Sequence, residues 1–183
     1  MKQLMKVAVL PVSAIFLLTA CRNAPTNNTS VKEGEQEAVS TATISATAVQ
    51  LKDDKLNAVY QQYAQLTTAL TNGDAKAAQL AGNAIEAGAG ALKDGGALAQ
   101  SAAKITATAD IEAQREAYST LSNELIGLVK QAGVAGGVLY VDYCPMAMED
   151  KGGYWLSGVE EIRNPYFGES MMTCGEVKEK VGH

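Results

Sequence analysis

The chain has 183 residues, of which 15 are basic and 20 acidic, giving a net charge of −5, with aromatics at 5%. An acidic chain with no basic stripe and no aromatic–basic platform excludes nucleic acid as a partner. Its one histidine, His183, is the last residue, which leaves a histidine-dependent triad or cysteine–histidine pair without a well-held base, so no enzyme is expected.

Residues 1–20 read as a module of their own. Lys2 and Lys6 precede an apolar run from Val7 to Leu18 that ends in Leu18-Thr19-Ala20-Cys21. A charged start, a short apolar stretch and a small-residue cut site describe a signal peptide, too short for a membrane span. Leu-Thr-Ala-Cys also resembles a bacterial lipobox, which implies that Cys21 becomes an acylated N-terminus. Each buried methylene of such an anchor contributes ~0.8 kcal/mol, so two or three chains hold a protein on a membrane surface. Arg22 stands where an aspartate would signal inner-membrane retention. By the same resemblance, the periplasmic face of the outer membrane is the expected location. Without Lys2 and Lys6 the exported chain carries 13 bases against 20 acids, a net charge of −7.

Residues 21–50 comprise Cys21 and a stretch rich in Asn, Thr, Ser, Glu and Ala without apolar periodicity. Such a segment buries too little to offset ordering entropy and reads as a flexible tether, with an end-to-end distance of roughly 30 Å.

Residues 51–132 carry helical periodicity. Leu56, Val59, Tyr63, Leu66 and Leu70 recur at three- and four-residue steps, predicting a helix from Asp53 to Leu70 that Thr71-Asn72-Gly73 ends. Asp74 offers a cap for a second helix through Ala77, Leu80, Ala81, Ala84, Ile85 and Gly88. Ala97 to Thr106 predicts a short third helix. Asp110 caps a fourth, reaching Lys130 with Ile111, Tyr118, Leu121, Leu125, Leu128 and Val129 on its apolar face. The short connections predict antiparallel neighbours, hence a mainly α fold: an up-and-down bundle of three or four helices.

Residues 133–183 change grammar. Gly136-Gly137 introduces Val138 to Tyr143, a β-branched and aromatic run that reads as a strand. Beyond it, Gly152, Gly153, Gly158, Asn164-Pro165 and Gly168 punctuate too often for long regular elements. The prediction is a small β/loop cap on the bundle, part of the same domain.

That cap holds both remaining cysteines and all four methionines of the exported chain, in 31 residues from Cys144 through Met146, Met148, Met171 and Met172 to Cys174. Thiolates and thioethers are soft donors that select copper(I) and silver(I). A strand continued through Cys144 places Cys144, Met146 and Met148 on one face, although Pro145 also favours a turn or strand edge. Met171 and Cys174, three apart, share a face if Glu169 to Gly175 forms a helical turn. Met172 then points elsewhere.

The segment resembles a bacterial domain-of-unknown-function family found in lipoproteins and appended to the periplasmic fusion subunits of Cus-type copper/silver efflux systems. The residues that carry it are Tyr143-Cys144-Pro145-Met146-Ala147, Trp155-Leu156-Ser157, Glu161 to Gly168, and Met171 with Cys174-Gly175. The preceding helices look similar too, over roughly residues 53 to 178. The resemblance implies Cys144, Met146, Met171 and Cys174 as metal-associated positions, with an efflux fusion subunit as partner. Cys144-Pro145-Met146 is also similar to the Cys-Pro-Met-His-Pro step of small heavy-metal-binding domains, but Ala147 stands where that motif has histidine. The departure removes an imidazole and weakens any case for copper(II) or zinc.

Two bland alternatives stand beside the metal site. A Cys144–Cys174 disulfide closing about 31 residues would stabilise by roughly 3.5–4 kcal/mol on the chain-entropy model, making the protein a stapled envelope scaffold without a ligand. The methionines can pack as core under the cap, against Trp155 or Tyr166.

Overall fold

The computed structural model describes residues 48–182, which lie in one structural unit, Ala42–His183. The signal peptide, Cys21, most of the tether and His183 fall outside the described residues. The fold is mostly helical, with small antiparallel sheets at its C-terminal end.

Strand β1 (Gln50–Leu51) leads into helix α1 (Asp54–Thr71). Val49 and Leu51 are buried, so Val49 and Gln50, read in the sequence as the end of the tether, already belong to the folded region. Asp53 caps α1 by accepting from Leu56 N at 2.8 Å. Helix α2 (Ala75–Ala89) is capped in the same way by Asp74, which accepts from Ala77 N at 2.9 Å. Helix α3 (Gly96–Thr106) has no side-chain cap, whereas Asp110 starts α4 (Ile111–Ala132) by accepting from Ala113 N at 2.8 Å. Each helix packs on the next in chain order, and α1 also meets α4. Their buried stripe includes Tyr63, Leu66, Leu70, Ile85, Leu98, Ile105, Leu121 and Leu125. Burying each large apolar side chain contributes about 1.5–3 kcal/mol, which makes this stripe the main source of cohesion.

After Gly133, strand β2 (Val134–Gly136) pairs antiparallel with β1. Strand β3 (Val138–Cys144) is the centre of a second antiparallel sheet, between β4 (Gly153–Ser157) and β5 (Glu176–Gly182). The sequence reading placed no strand at β5. Its Glu176-Val177-Lys178-Glu179-Lys180-Val181 run has only two apolar residues, and pairing with β3 rather than its own propensity makes it a strand. Charged, lysine-bearing edges of this kind also discourage further pairing.

Single side chains join the sheet to the helices. Tyr63 of α1 accepts from Leu156 N of β4 at 3.0 Å, and its hydroxyl also meets Tyr118 and Ser122 of α4 at 2.8 and 2.9 Å. Arg115 of α4 is buried and donates to Leu70 O at the end of α1 and to Pro165 O in the loop after β4, at 3.0 and 2.9 Å. Leu70 O, among the last carbonyls of α1, also accepts from Gly73 N at 3.2 Å, so Arg115 is its second partner. Gly168, at φ +55°, lets that loop pass close to Thr71, because a Cβ there would lie 2.7 Å from Thr71 O.

Candidate metal centre

Cys144 ends β3, where it is fully buried and opposite Gly153 of β4. The strand stops there because the next residue, Pro145, has a fixed φ and no amide to donate. The chain then enters a turn, Ala147–Asp150, in which Met148, Glu149 and Asp150 all have φ between +55° and +62°. Left-handed backbone costs an L-residue roughly 1–2 kcal/mol, and three in succession without glycine is a strained arrangement.

Cys174 arrives from the other end of the window. A 3-10 helix, Gly168–Met171, precedes it, and Cys174 N donates to Met171 O at 3.0 Å. Asn164, fully buried, fixes this step. Its Nδ2 donates to Cys174 O at 2.7 Å, its backbone N donates to Met172 O at 2.8 Å, and its Oδ1 accepts from Tyr166 N and Phe167 N at 2.8 and 3.3 Å. The sequence assigned Asn164-Pro165-Tyr166-Phe167-Gly168 to a turn. It is one, and its first residue also anchors the second cysteine. Gly175 follows at φ +141°, where a Cβ would lie 3.0 Å from Tyr143 O and 2.9 Å from Trp155 Cη2. Only glycine passes through that gap without displacing its neighbours.

The outcome is a Cys144 Sγ to Cys174 Sγ distance of 2.9 Å, with both cysteines free. Two sulfurs each about 2.3 Å from one ion stand about 3.8 Å apart in tetrahedral geometry and about 4.6 Å apart in linear geometry. A disulfide needs 2.03–2.05 Å. The 2.9 Å separation therefore lies between a disulfide and a metal-bridged pair, and an entering ion would spread it by about 0.9 Å in tetrahedral or about 1.7 Å in linear geometry. The Cys174 thiol is pushed up to about 11, first by its hydrogen bond with Cys144, then by desolvation and by the Cys144 charge. At neutral pH it holds its proton, and a soft ion must displace that proton to bind.

The structure brings the two cysteines together. Met146 lies on the turn after β3, 47% exposed, because the strand ends before it and the shared face expected from strand spacing does not extend that far. Met148 is half-buried and packs against the core from the left-handed turn. Met171 and Met172 are half-buried at the end of the 3-10 helix. Among the described residues, no three His, Cys, Asp or Glu side chains cluster as metal ligands, so a thiol-based ion here would take any further ligands from thioethers, backbone or solvent.

Sequence reasoning missed Asp142. Two residues before Cys144 on β3, it projects from the same face, fully buried, and neither carboxyl oxygen has a hydrogen-bond partner among the described residues. Desolvation pushes it up to about 7. An acidic residue inside an otherwise apolar strand was the available signal.

No curated protein and no solved structure matches the chain. Residues 59–137, from within α1 through β2, are similar to the family described as "Protein of unknown function (DUF3347)", a match that ends before β3 and both paired cysteines.

Proposed function

We propose that the protein is a lipid-anchored envelope protein that binds copper(I) or silver(I) through Cys144 and Cys174 and buffers the ion or passes it to efflux machinery. The observation that carries this reading is the meeting of two thiols, 30 positions apart in sequence, at 2.9 Å. Two thiolates neutralise a monovalent ion and leave one negative charge on the complex. Soft donors favour copper(I) and silver(I) over hard ions. Met146 and Met171, two and three residues from Cys144 and Cys174, are the thioethers to complete the site, with Met148 as an exchange ligand. Anchoring through Cys21, a location on the periplasmic face of the outer membrane and a fusion subunit as partner belong to the same proposal. So does an up-and-down arrangement of the four helices, which their consecutive packing and short connections support. No helix among the described residues is long and apolar enough to cross a membrane, so attachment through the lipid is the form the proposal takes. No catalytic role is proposed.

A second reading is favoured by the same distance. At 2.9 Å the sulfurs need to approach by less than 1 Å to bond, and a disulfide-stapled scaffold without ligand would result. Intact mass before and after reduction, followed by copper(I) titration of the reduced protein against a chromophoric chelator, separates the two. Stoichiometric uptake that is lost in Cys144→Ser supports the metal site. A two-dalton deficit as isolated, with no uptake after reduction, leaves the scaffold.

A further inference from the structure

The two sulfurs of the candidate metal centre differ in what can reach them. Cys144 is fully buried on β3, and its partner across the sheet, Gly153, is covered as well: a Cβ there would lie 2.6 Å from Tyr166 Cε2 and 3.0 Å from Ala147 Cβ. Cys174 is half-buried, in the connection between the 3-10 helix and β5, where hydrogen bonds to Asn164 and Met171 hold its backbone. We propose that Cys174 is a thiol–disulfide exchange site for a low-molecular-weight disulfide, with Cys144 as the resolving thiol that ends the exchange in a Cys144–Cys174 bond. The exchange itself needs no metal. Its consequence rests on the function proposed above: a disulfide sulfur is no thiolate, so the oxidised pair no longer offers a soft-ion site.

The order of steps follows from access. Exchange starts when a thiolate attacks a disulfide sulfur, and a sulfur without exposure does not meet a disulfide from solution. Cys174 Sγ, having lost its proton, attacks one sulfur of RSSR, forming Cys174–S–S–R and releasing RS⁻, which takes up that proton. Cys144 Sγ then loses its proton and attacks Cys174 Sγ, closing the internal bond and releasing the second RS⁻ as RSH. The pair gives two electrons and two protons, and RSSR leaves as two RSH. The second step joins sulfurs that already stand 2.9 Å apart, about 0.9 Å beyond bonding distance, and backbone ties keep Cys174 in place for it. Burial pushes the first step toward a small reagent, since a disulfide held in a folded protein needs a sulfur standing clear of its surroundings. The raised Cys174 thiol slows that step at neutral pH and does not alter which sulfur is reached.

The test uses the full chain carrying Cys21→Ser, reduced and metal-free, so that only the pair can react. It is treated with oxidised glutathione and followed by intact mass. With both cysteines present the chain should become two daltons lighter and keep no adduct. Adding Cys144→Ser should trap one glutathione on Cys174, at least about tenfold faster than Cys144 is modified when Cys174→Ser is added instead. A brief iodoacetamide pulse, read by peptide mapping on the chain with both cysteines, checks the order without substituting either: Cys174 should label at least about tenfold faster than Cys144. A lasting adduct on the unsubstituted pair, labelling of Cys144 as fast as Cys174, or no oxidation would each overturn the proposal. Copper(I) uptake by the reduced chain is measured separately. Uptake without ordered exchange overturns this inference alone, and ordered exchange without uptake overturns the metal reading alone.

Discussion

The helices and the C-terminal sheet are held by different means. Helices α1, α2 and α4 each begin at an aspartate that caps them and bury a periodic apolar stripe, so many small contributions share the load. The region after Gly133 also buries Leu139, Val141, Trp155, Leu156 and Tyr166 in the shared core, but its strands and loops are joined to the rest by a few side chains that reach backbone groups across the fold: Arg115 to Leu70 O and Pro165 O, Asn164 to Cys174 O, and Tyr63 to Leu156 N. Distributed packing tolerates a single loss. A tie made by one side chain does not, and the cysteine pair sits in the region that depends on such ties.

The contrast is broken most strongly at Arg115. Arg115→Ala should lower the unfolding free energy by about 3–5 kcal/mol in urea denaturation, because two buried carbonyls each lose a charge-assisted partner worth ~1–3 kcal/mol. A loss as small as that of a surface change would mean the sheet is not tied through this residue.

Asp142 should act in the opposite direction. Its folded value of about 7 lies above its ordinary 3.8, so the folded state keeps a proton the unfolded state releases. Stability from this group is therefore fully present below pH 3.8, falls as pH rises between the two values, and is constant above about 7. Asn has the shape of the protonated acid without the charge. Asp142→Asn should stabilise the protein by about 2–4 kcal/mol at pH 8 and leave it unchanged below pH 4, as measured by denaturation at the two pH values.

Asn164→Ala should cost about 1–3 kcal/mol and loosen the second cysteine, so that alkylation of Cys174 at fixed pH becomes faster. Equal alkylation rates would show that the step at Cys174 is set elsewhere. At the small end, Asp53→Ala removes only the α1 cap and should cost about 1 kcal/mol with the cysteine pair undisturbed, the result that distributed packing predicts. Alkylation kinetics of the paired thiols in the two variants then compare the two regions directly.

Much of the helical half was legible because its signals are local. Asp53, Asp74 and Asp110 stand directly before apolar stripes, and periodicity set the elements to within a residue or two. The concentration of cysteine in the tail also pointed to one site, and Cys144 and Cys174 do meet. What stayed hidden depends on distant partners. Strand β5 exists through its pairing with β3, and Arg115 acts through carbonyls 45 and 50 positions away in sequence. The turn at Met148-Glu149-Asp150 carries no glycine to announce positive φ, and Met148 and Glu149 are of types that favour a right-handed helix, so local rules point the wrong way at those two positions. That turn also places Met146 at the surface, away from the continuation of strand spacing past Cys144.

The pairing of Cys144 with Cys174 as one soft-ion site is tested most directly by X-ray absorption on the reduced, copper(I)-loaded full chain. Two or more sulfur neighbours at about 2.3 Å, lost together in Cys144→Ser and in Cys174→Ser, are the expected result. Copper held only by nitrogen or oxygen, or no copper retained by the fully reduced protein, would contradict it.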